Sequence, residues 1–358
     1  MSDDRPMSDV RRVPSWIYTD PDVFQEEKQR IFATTWNLLG HESELREPGD
    51  FTVRYIADDS ILIVRGEDGN LRGFHNVCRH RGMQVCRADL GNTKRFTCAY
   101  HGWLYDRAGR LVGVPLDKPH FGEQGINRDE HSLLPIARLD TCEGFIFGAL
   151  SRDAGSLADY LGDFAWYMAI QSRRDPAGLE VIGEPQRWIV KGNWKSGAEN
   201  AMGDSYHAQF THRSVMEIGV HPNHLSDFQG RGSRNGIHVD TGRATIAFAR
   251  QSPMERGYPP SMVEQFQANL PSAQRALIFD HGPVWPTRAA VFPNLMFLNA
   301  GAYIAAERLV PFFFCRVWRP LRADAIEVWN WVLVERGATE EFKQDSQRAF
   351  VLTFGPAG

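Results

Sequence analysis

Two short segments in the first third of the chain each combine one cysteine with one histidine. One residue separates Cys78 from His80 and two separate Cys98 from His101, with 17 residues between the pairs. Thiolate and imidazole are common ligands of zinc, copper and iron–sulfur centres. Each pair lies at the boundary of a predicted strand and a turn. Two loops would therefore each offer one thiolate and one imidazole to a shared metal centre.

Two kinds of centre use two cysteines and two histidines. One is a four-coordinate zinc ion. The other is a Rieske [2Fe–2S] cluster, in which two thiolates bind one iron and two imidazoles bind the other. Structural zinc sites more often use C-x-x-C, and C-x-H is unusual for them. Gly82 and Gly102, shortly after the histidines, would let the backbone donate N–H bonds to cluster sulfides. The pattern favours the Rieske cluster.

The other three cysteines lie outside this pattern. Five cysteines in a long chain do not indicate a disulfide framework. Cys86 is interpreted as a packed thiol or loop residue, and Cys142 and Cys315, in apolar runs, as core residues.

A second candidate site lies in residues 193–212, "NWKSGAENAMGDSYHAQFTH". Asp204 and His207 are three residues apart and would share one face of a helix. His207 and His212 are five apart, about 140° on an ideal helix. A shared metal would require the helix to loosen or end between them. This spacing alone is weak, because two such histidines are more often unrelated residues.

Both segments resemble motifs of one family. "CRHRGM…CAYHGW" resembles the Rieske motif of ring-hydroxylating oxygenase large subunits, and the second segment resembles their E-N-x-x-x-D-x-Y-H-x(4)-H iron motif. Met83 and Tyr100 stand where respiratory Rieske proteins have disulfide cysteines, and Trp103 replaces a serine that bonds to the cluster. Fewer hydrogen bonds to sulfur imply a lower reduction potential. We therefore expect a low-potential cluster that passes electrons onward.

The resemblance implies a role for each residue of the two sites. Cys78, His80, Cys98 and His101 would bind the cluster. The mononuclear iron would be bound by two histidines of a 2-His-1-carboxylate triad, His207 and His212. Asp204, with Asn200, would be catalytic: it would bridge His207 to His101 of another subunit. In this family the long distance between the two centres within one chain makes a trimer necessary.

The third iron ligand of the family is an aspartate in F-G-P-A-G-x-x-E-x-D-D. This chain stops at "FGPAG", residues 354–358, so we assign no carboxylate ligand. Asp345 lies on the preceding predicted helix and is interpreted as a solvated charge. Stopping inside the motif favours truncation, and we expect this polypeptide to bind mononuclear iron weakly.

Family positions around the iron predict the substrate pocket. They correspond to Asn200, Ala201, Ser205, Ala208, Met216 and Phe354. Ala201 stands where some relatives have phenylalanine, so the pocket is expected to be roomy and to suit a multi-ring arene. None of these residues is charged, which argues against a carboxylated substrate, although Arg231 or Arg234 from a later loop could intrude.

The implied activity is that of an oxidoreductase, an aromatic-ring-hydroxylating dioxygenase. Electrons from NAD(P)H would arrive through a reductase or ferredoxin, and dioxygen would be added to an arene as a cis-dihydrodiol. The motifs do not fix whether one or two oxygen atoms are added, so a Rieske monooxygenase or demethylase is an alternative. A non-catalytic electron-transfer subunit is another, but it would leave Asp204, His207 and His212 unexplained.

Partners follow from the same resemblance. A homotrimer or an α3β3 assembly with a small subunit is expected. Basic residues around the cluster motif would dock an acidic ferredoxin or reductase, although a solvated face is an equal alternative: Arg79, Arg81, Arg87, Lys94 and Arg95. The net charge of −4 indicates neither nucleic acid nor an anionic membrane as a partner. There is no apolar run of spanning length and no signal-peptide core, which predicts a cytoplasmic protein.

Secondary-structure signals predict short strands around the first candidate site and a mixture of helices and strands around the second. A helix is predicted over 20–36, short strands over 38–150 and a helical stretch over 157–171. Paired strands follow over 179–195, then long loops over 220–285. Three strands are predicted at 289–300, 312–321 and 325–335, the last half-buried, and a helix over 338–354.

The resemblance implies an α+β fold. An antiparallel β Rieske domain would be joined to a catalytic domain with a large antiparallel sheet flanked by helices, a START-like helix-grip. The expected divisions are an N-terminal segment (1–37) that packs on the catalytic domain, the Rieske domain (38–156) and the catalytic domain (157–358).

Overall fold

The computed structural model describes residues 13–204, 207–221, 237–280, 282 and 284–355. Helix α1 (Pro21–Glu27) continues into a π-helical turn over Lys28–Phe32. The side chain of Asp20 accepts from the backbone N–H of Asp22 at 2.9 Å, and Pro21 occupies the first helical position. The predicted helix start is confirmed, but the helix ends at Phe32 rather than at residue 36.

Short antiparallel strands dominate the next hundred residues. Three small sheets have the orders β4-β3-β2-β5, β6-β7-β8 and β1-β10-β9. The elements are β1 (Asn37–His41), β2 (Asp50–Ile56), β3 (Asp59–Arg65), β4 (Leu71–His75), β5 (Leu90–Asn92), β6 (Arg95–Thr97), β7 (Leu104–Asp106), β8 (Leu111–Gly113), α2 (Asp117–Phe121), β9 (Arg138–Cys142) and β10 (Phe145–Ala149). The predicted small β domain is confirmed.

One large antiparallel sheet organises the rest of the chain. Its order is β11-β18-β17-β16-β15-β14-β13, and β12 also pairs with β18. The elements are α3 (Leu157–Leu161), α4 (Phe164–Ser172), β11 (Leu179–Val181), β12 (Gln186–Lys191), α5 (Trp194–Gly203), α6 (Ala208–Thr211), α7 (Arg213–Glu217), β13 (Ile237–Asp240), β14 (Ala244–Ala249), α8 (Pro260–Asn269), α9 (Ser272–Arg275), β15 (Trp285–Val291), β16 (Leu295–Ala305), β17 (Arg308–Arg322), β18 (Ala325–Glu335) and α10 (Glu340–Phe354).

Both faces of this sheet are covered. On one face, Ala198 and Ala201 of α5 join Phe350 of α10 in a core with Phe312 and Phe314 of β17. The opposite face packs against α3, α4, α8 and strands β1 and β10. The expected large sheet flanked by helices is confirmed. Among the described residues, no helix combines the length and apolar character that crossing a membrane requires.

Several predicted elements differ from the structure. Residues 157–171 form two helices, because Gly162 adopts a positive φ of 50° between them. Strands β11 and β12 each pair with β18 and not with one another. The strand predicted over 289–300 is a hairpin of β15 and β16, and part of the loop region over 220–285 forms β13, β14 and α8.

Strand β18 was expected to be half-buried. All of its residues are buried except Glu327, which is partly exposed. The alternating tryptophans and aliphatic residues therefore pack on both faces, since helices and the first domain cover the two sides of the sheet.

Candidate functional site

The two cysteine–histidine loops adopt the same turn. In each, the cysteine carbonyl accepts from a glycine N–H: Gly82 to Cys78 at 3.0 Å and Gly102 to Cys98 at 2.9 Å. Each cysteine N–H in turn donates to the carbonyl of the residue after that glycine, at 2.7 and 2.8 Å. The glycines have φ values of 77° and 70°, which residues with a side chain rarely adopt. The glycines therefore allow both loops to curl back on themselves.

The loops bring the four predicted ligands together. The thiols of Cys78 and Cys98 are buried side by side, each residue 2% exposed. The rings of His80 and His101 lie 4.6 Å apart between centroids, and His101 is exposed. Two buried thiols with two outer imidazoles form a donor set that fits a cluster with one inner and one outer iron.

Burial also sets the protonation of these groups. It raises the pKa of the Cys78 thiol, so the thiolate needs a nearby cation to form. Burial, followed by the charge of His101, lowers the pKa of His80. The neutral imidazole is the form that binds metal.

Tyr105 is a contact that the sequence did not reveal. Its hydroxyl lies 3.3 Å from Sγ of Cys78 and accepts the backbone N–H of Arg79 at 3.1 Å. Since its oxygen already accepts one bond, the hydroxyl proton is available to the sulfur. Tyr105 is fully buried on β7. From the replacement of serine by Trp103 we expected fewer hydrogen bonds to sulfur. Tyr105 adds one such bond that this expectation did not include.

Replacing Tyr105 with phenylalanine is expected to lower the midpoint potential of the cluster. A hydrogen bond to the sulfur stabilises the more negative reduced state, and its loss, at about 1 kcal/mol, corresponds to roughly 40 mV for one electron. A redox titration followed by electron paramagnetic resonance measures this. Tyr160→Phe is the matched control, because this buried hydroxyl donates to the carbonyl of Phe292 instead. An unchanged midpoint in Tyr105→Phe would contradict the bond to sulfur.

The second candidate site begins where α5 ends. Asp204 follows Gly203 with an extended backbone, φ −81° and ψ 94°, and His207 precedes α6. The prediction that Asp204 and His207 share a helix face is therefore wrong. Helix α6 ends at Thr211, immediately before His212. This is the helix end between the histidines that a shared metal requires.

The rings of the two histidines lie edge to face beside Asp204. Their ring centroids are 5.5 Å apart at an interplanar angle of 63°. Asp204 accepts the backbone N–H of His207 at 3.2 Å through Oδ1, and its Oδ2 lies 3.4 Å from Nδ1 of His207. That Nδ1 is buried and has no hydrogen-bond partner among the described residues. Burial, followed by the charges of His207 and Arg316, lowers the pKa of His212, which favours the neutral ligand form.

The described pocket residues differ in burial, and one of them contacts a histidine of the candidate site. Ala201 and Met216 are buried in the structure, and Asn200 and Phe354 are half-buried. The ring of Phe354 lies 5.4 Å from that of His212.

Other pocket predictions fall outside what the structure describes. Ser205, Arg231 and Arg234 are not among the described residues, nor is the side chain of Ala208, at the start of α6. A narrow cavity does lie on the opposite face of the sheet, lined in part by Phe145, Gln171 and Asn299. None of the predicted pocket residues lines that cavity, so we do not assign it to the iron site.

The donor sets fit a cluster in full and a mononuclear iron in part. Within the described ranges, no three His, Cys, Asp or Glu side chains are placed to hold one ion. A Rieske cluster takes only two protein ligands at each iron. His207 and His212 could supply two of the three ligands of a facial triad, and in the described part of the chain Asp204 does not complete a three-residue site with them. Asp345 forms an ion pair with Arg308, away from the histidines.

Comparison with known families agrees with this geometry. Residues 35–133 match the model of the Rieske [2Fe-2S] domain. Residues 158–355 match that of the ring hydroxylating alpha subunit (catalytic domain).

Individual relatives extend over nearly the whole chain. The chain is 34% identical to the N,N-dimethyl phenylurea N-demethylase subunit alpha of Sphingobium sp. (strain YBL2), covering 97% of this chain and 76% of the relative. It is 35% identical to the chlorobenzene dioxygenase subunit alpha of Cupriavidus sp. (strain PS12), covering 96% and 75%.

A solved structure is also similar to nearly the whole chain. Naphthalene 1,2-dioxygenase from Rhodococcus sp., bound to indole, superimposes with a TM-score of 0.86 at 39% identity, covering 97% of this chain and 78% of that one. The chain therefore belongs to the Rieske non-haem iron aromatic-ring-hydroxylating dioxygenases, oxidoreductases with a [2Fe–2S] cluster and a mononuclear iron, as a large (alpha) subunit.

Proposed function

We propose that this subunit catalyses cis-dihydroxylation of an arene with more than one ring. The observation that carries the proposal is the pair of facing histidine rings, His207 and His212, between the carboxylate of Asp204 and the ring of Phe354. When bound there, the iron would supply dioxygen activation beside an apolar substrate.

The residues of the chain would have distinct tasks in this reaction. His207 and His212 would hold the metal as neutral imidazoles. The Oδ1 of Asp204 accepts the backbone N–H of His207, and its Oδ2, 3.4 Å from Nδ1, would orient the ring and raise its basicity. Asn200, one turn before Asp204, would assist Asp204 in this task. Phe354 would present an aromatic face to the substrate beside His212.

The pocket is proposed to be roomy at Ala201. This residue is 1% exposed on the face of α5 that packs on the sheet. The resemblance makes it a pocket position, where alanine would leave more room than the phenylalanine of some relatives. Met216 is buried and would line the same region together with Ser205 and Ala208.

The substitution Ala201→Phe is expected to shift substrate preference from three-ring to one-ring arenes. A change of pocket volume typically alters the ratio of kcat/KM values by about 10- to 200-fold. Comparing kcat/KM for benzene and phenanthrene measures the shift. Ala198→Phe is the overpacking control, because Ala198 is also buried on α5, nearly one turn earlier. Equal losses for both arenes in both variants would contradict a role in specificity.

Electron delivery is proposed to involve other chains. The alpha-subunit relatives belong to multi-component systems, so a ferredoxin or reductase would dock near the cluster. Five basic residues around the cluster loops are exposed, and their acidic neighbour Asp89 is paired with Arg187 at 2.7 Å, which leaves a positive surface. A trimer, with or without a small subunit, would join Asp204 to His101 of a second copy. The side chain of Asp204 is 44% exposed and His101 is exposed.

Product analysis with isotopically labelled dioxygen tests the proposed function. Purified holoprotein with its redox partners is offered an arene panel, and products are identified by mass spectrometry. A cis-dihydrodiol with two labelled atoms is expected. One labelled atom, or release of an N-methyl group from a phenylurea, would instead support the monooxygenase or demethylase alternative. Cluster reduction without any product would support a non-catalytic subunit.

A further inference from the structure

Two arginines extend from the sheet to the C-terminal ends of the helices that border the iron site. Arg288 of β15 donates from Nη1 to the carbonyl of Asp204 at 3.1 Å, at the end of α5. Arg316 of β17 donates from Nη2 to the carbonyl of Phe354 at 2.8 Å, at the last residue of α10. Helix C-termini carry unpaired carbonyls and a partial negative charge, so a cation is stabilising there.

Arg316 is the more strongly fixed of the two. Its Nε donates to Oδ1 of Asn330 at 2.7 Å, and Nδ2 of the fully buried Asn330 lies 3.4 Å from the same Phe354 carbonyl. The guanidinium also lies 5.2 Å from the ring of Phe314 and 5.6 Å from that of Trp188. Burial lowers the pKa of Arg316 to about 10, still well above neutrality, so the group remains a cation.

These contacts fix the last turn of α10 relative to the candidate iron site. Phe354 is held through its carbonyl by Arg316, while its ring packs 5.4 Å from Phe314 and 5.4 Å from His212. A displacement of this turn would move the Phe354 ring relative to His212. The planar guanidinium holds the Asn330 oxygen and the Phe354 carbonyl in one arrangement, which the single ammonium of lysine does not reproduce.

We propose that Arg316, together with Asn330, is a positioning residue that sets the place of the Phe354 ring beside His212 and thereby the orientation of the bound arene. Arg316 acts through Phe354. The substrate part of this inference rests on the proposed function. The other part, that Arg316 fixes the last turn of α10, does not depend on the proposed function.

Arg316→Met removes the donors and the charge but keeps most of the apolar stem. Amide hydrogen exchange of the last turn of α10, measured on metal-free protein, is expected to be roughly tenfold or more faster, as for loss of a hydrogen bond to a charged group. In the holoprotein, the ratio of product isomers from a substituted arene should shift several-fold, with KM rising more than kcat falls. Arg316→Lys should give the same changes at smaller size, because it keeps the charge but not both bonds.

Arg322→Met is the matched control, since this arginine of β17 is 69% exposed and, within the described part of the chain, pairs with the exposed Asp324. It should change none of these measurements. Wild-type exchange in Arg316→Met would overturn the inference, as would faster exchange with an unchanged isomer ratio and KM. If Arg316→Met does not fold, a wild-type isomer ratio in Arg316→Lys would overturn it. The exchange measurement needs no turnover, so it stays interpretable if the proposed function fails.

Discussion

Replacing His212 with alanine is expected to abolish arene oxygenation while leaving the Rieske cluster reducible. His212 would be one of only two protein ligands that the described residues offer to the mononuclear iron, and its ring faces that of His207 at 5.5 Å. Loss of an outer-shell partner typically costs about 10- to 100-fold, and loss of a ligand itself should cost more. The residues proposed to bind the cluster lie on separate loops, so its absorption and resonance spectra should not change.

Three measurements separate this outcome from simple unfolding. Product formation should fall below a hundredth of the wild-type rate, iron content after loading both proteins with Fe(II) should fall from the wild-type level to the cluster irons alone, and the thermal midpoint should stay within a few degrees. The same result is expected for His207→Ala. His120→Ala, an exposed histidine on α2, is the control and should retain full activity. Retention of the mononuclear iron in His212→Ala would rule out this histidine as a ligand.

The cluster loops were predictable because their chemistry is local. Cys78 with His80 and Cys98 with His101 lie within two or three residues of each other, and the strands on either side have short apolar runs. Gly82 and Gly102 then permit the turn. Element types were predictable for similar reasons, since the long β17, β18 and α10 have strong apolar patterns.

Contacts between distant positions were not predictable. Tyr105 meets the sulfur of Cys78 across 27 residues, and Arg316 meets Phe354 across 38. Such pairs depend on strand register and on how helices lie on the sheet, neither of which a single sequence specifies. The face shared by Asp204 and His207 was predicted wrongly because α5 ends at Gly203, a residue common at helix ends.

Replacing Asp204 with asparagine is the second change for which a large effect is expected. Asparagine keeps the shape and the Oδ1 acceptor for the backbone N–H of His207, which lies 3.2 Å away in the structure. It replaces the second carboxylate oxygen, 3.4 Å from Nδ1 of His207, with an amide and removes the negative charge. If Asp204 also contacts His101 of a second copy, the substitution weakens both links. Steady-state product formation should then fall by about 100-fold or more, the upper end of outer-shell effects.

A single-turnover experiment locates the defect. The cluster is reduced chemically, the donor is removed, and reoxidation is followed after arene and dioxygen are added. In Asp204→Asn the cluster should accept electrons normally but reoxidise slowly, because the carboxylate proposed to link the two centres is missing. Glu217→Gln, which alters an exposed carboxylate paired with Arg213 on α7, should behave as wild type, and size-exclusion chromatography shows whether the assembly is intact. Wild-type reoxidation in an intact Asp204→Asn assembly would show that electrons reach the iron by another route.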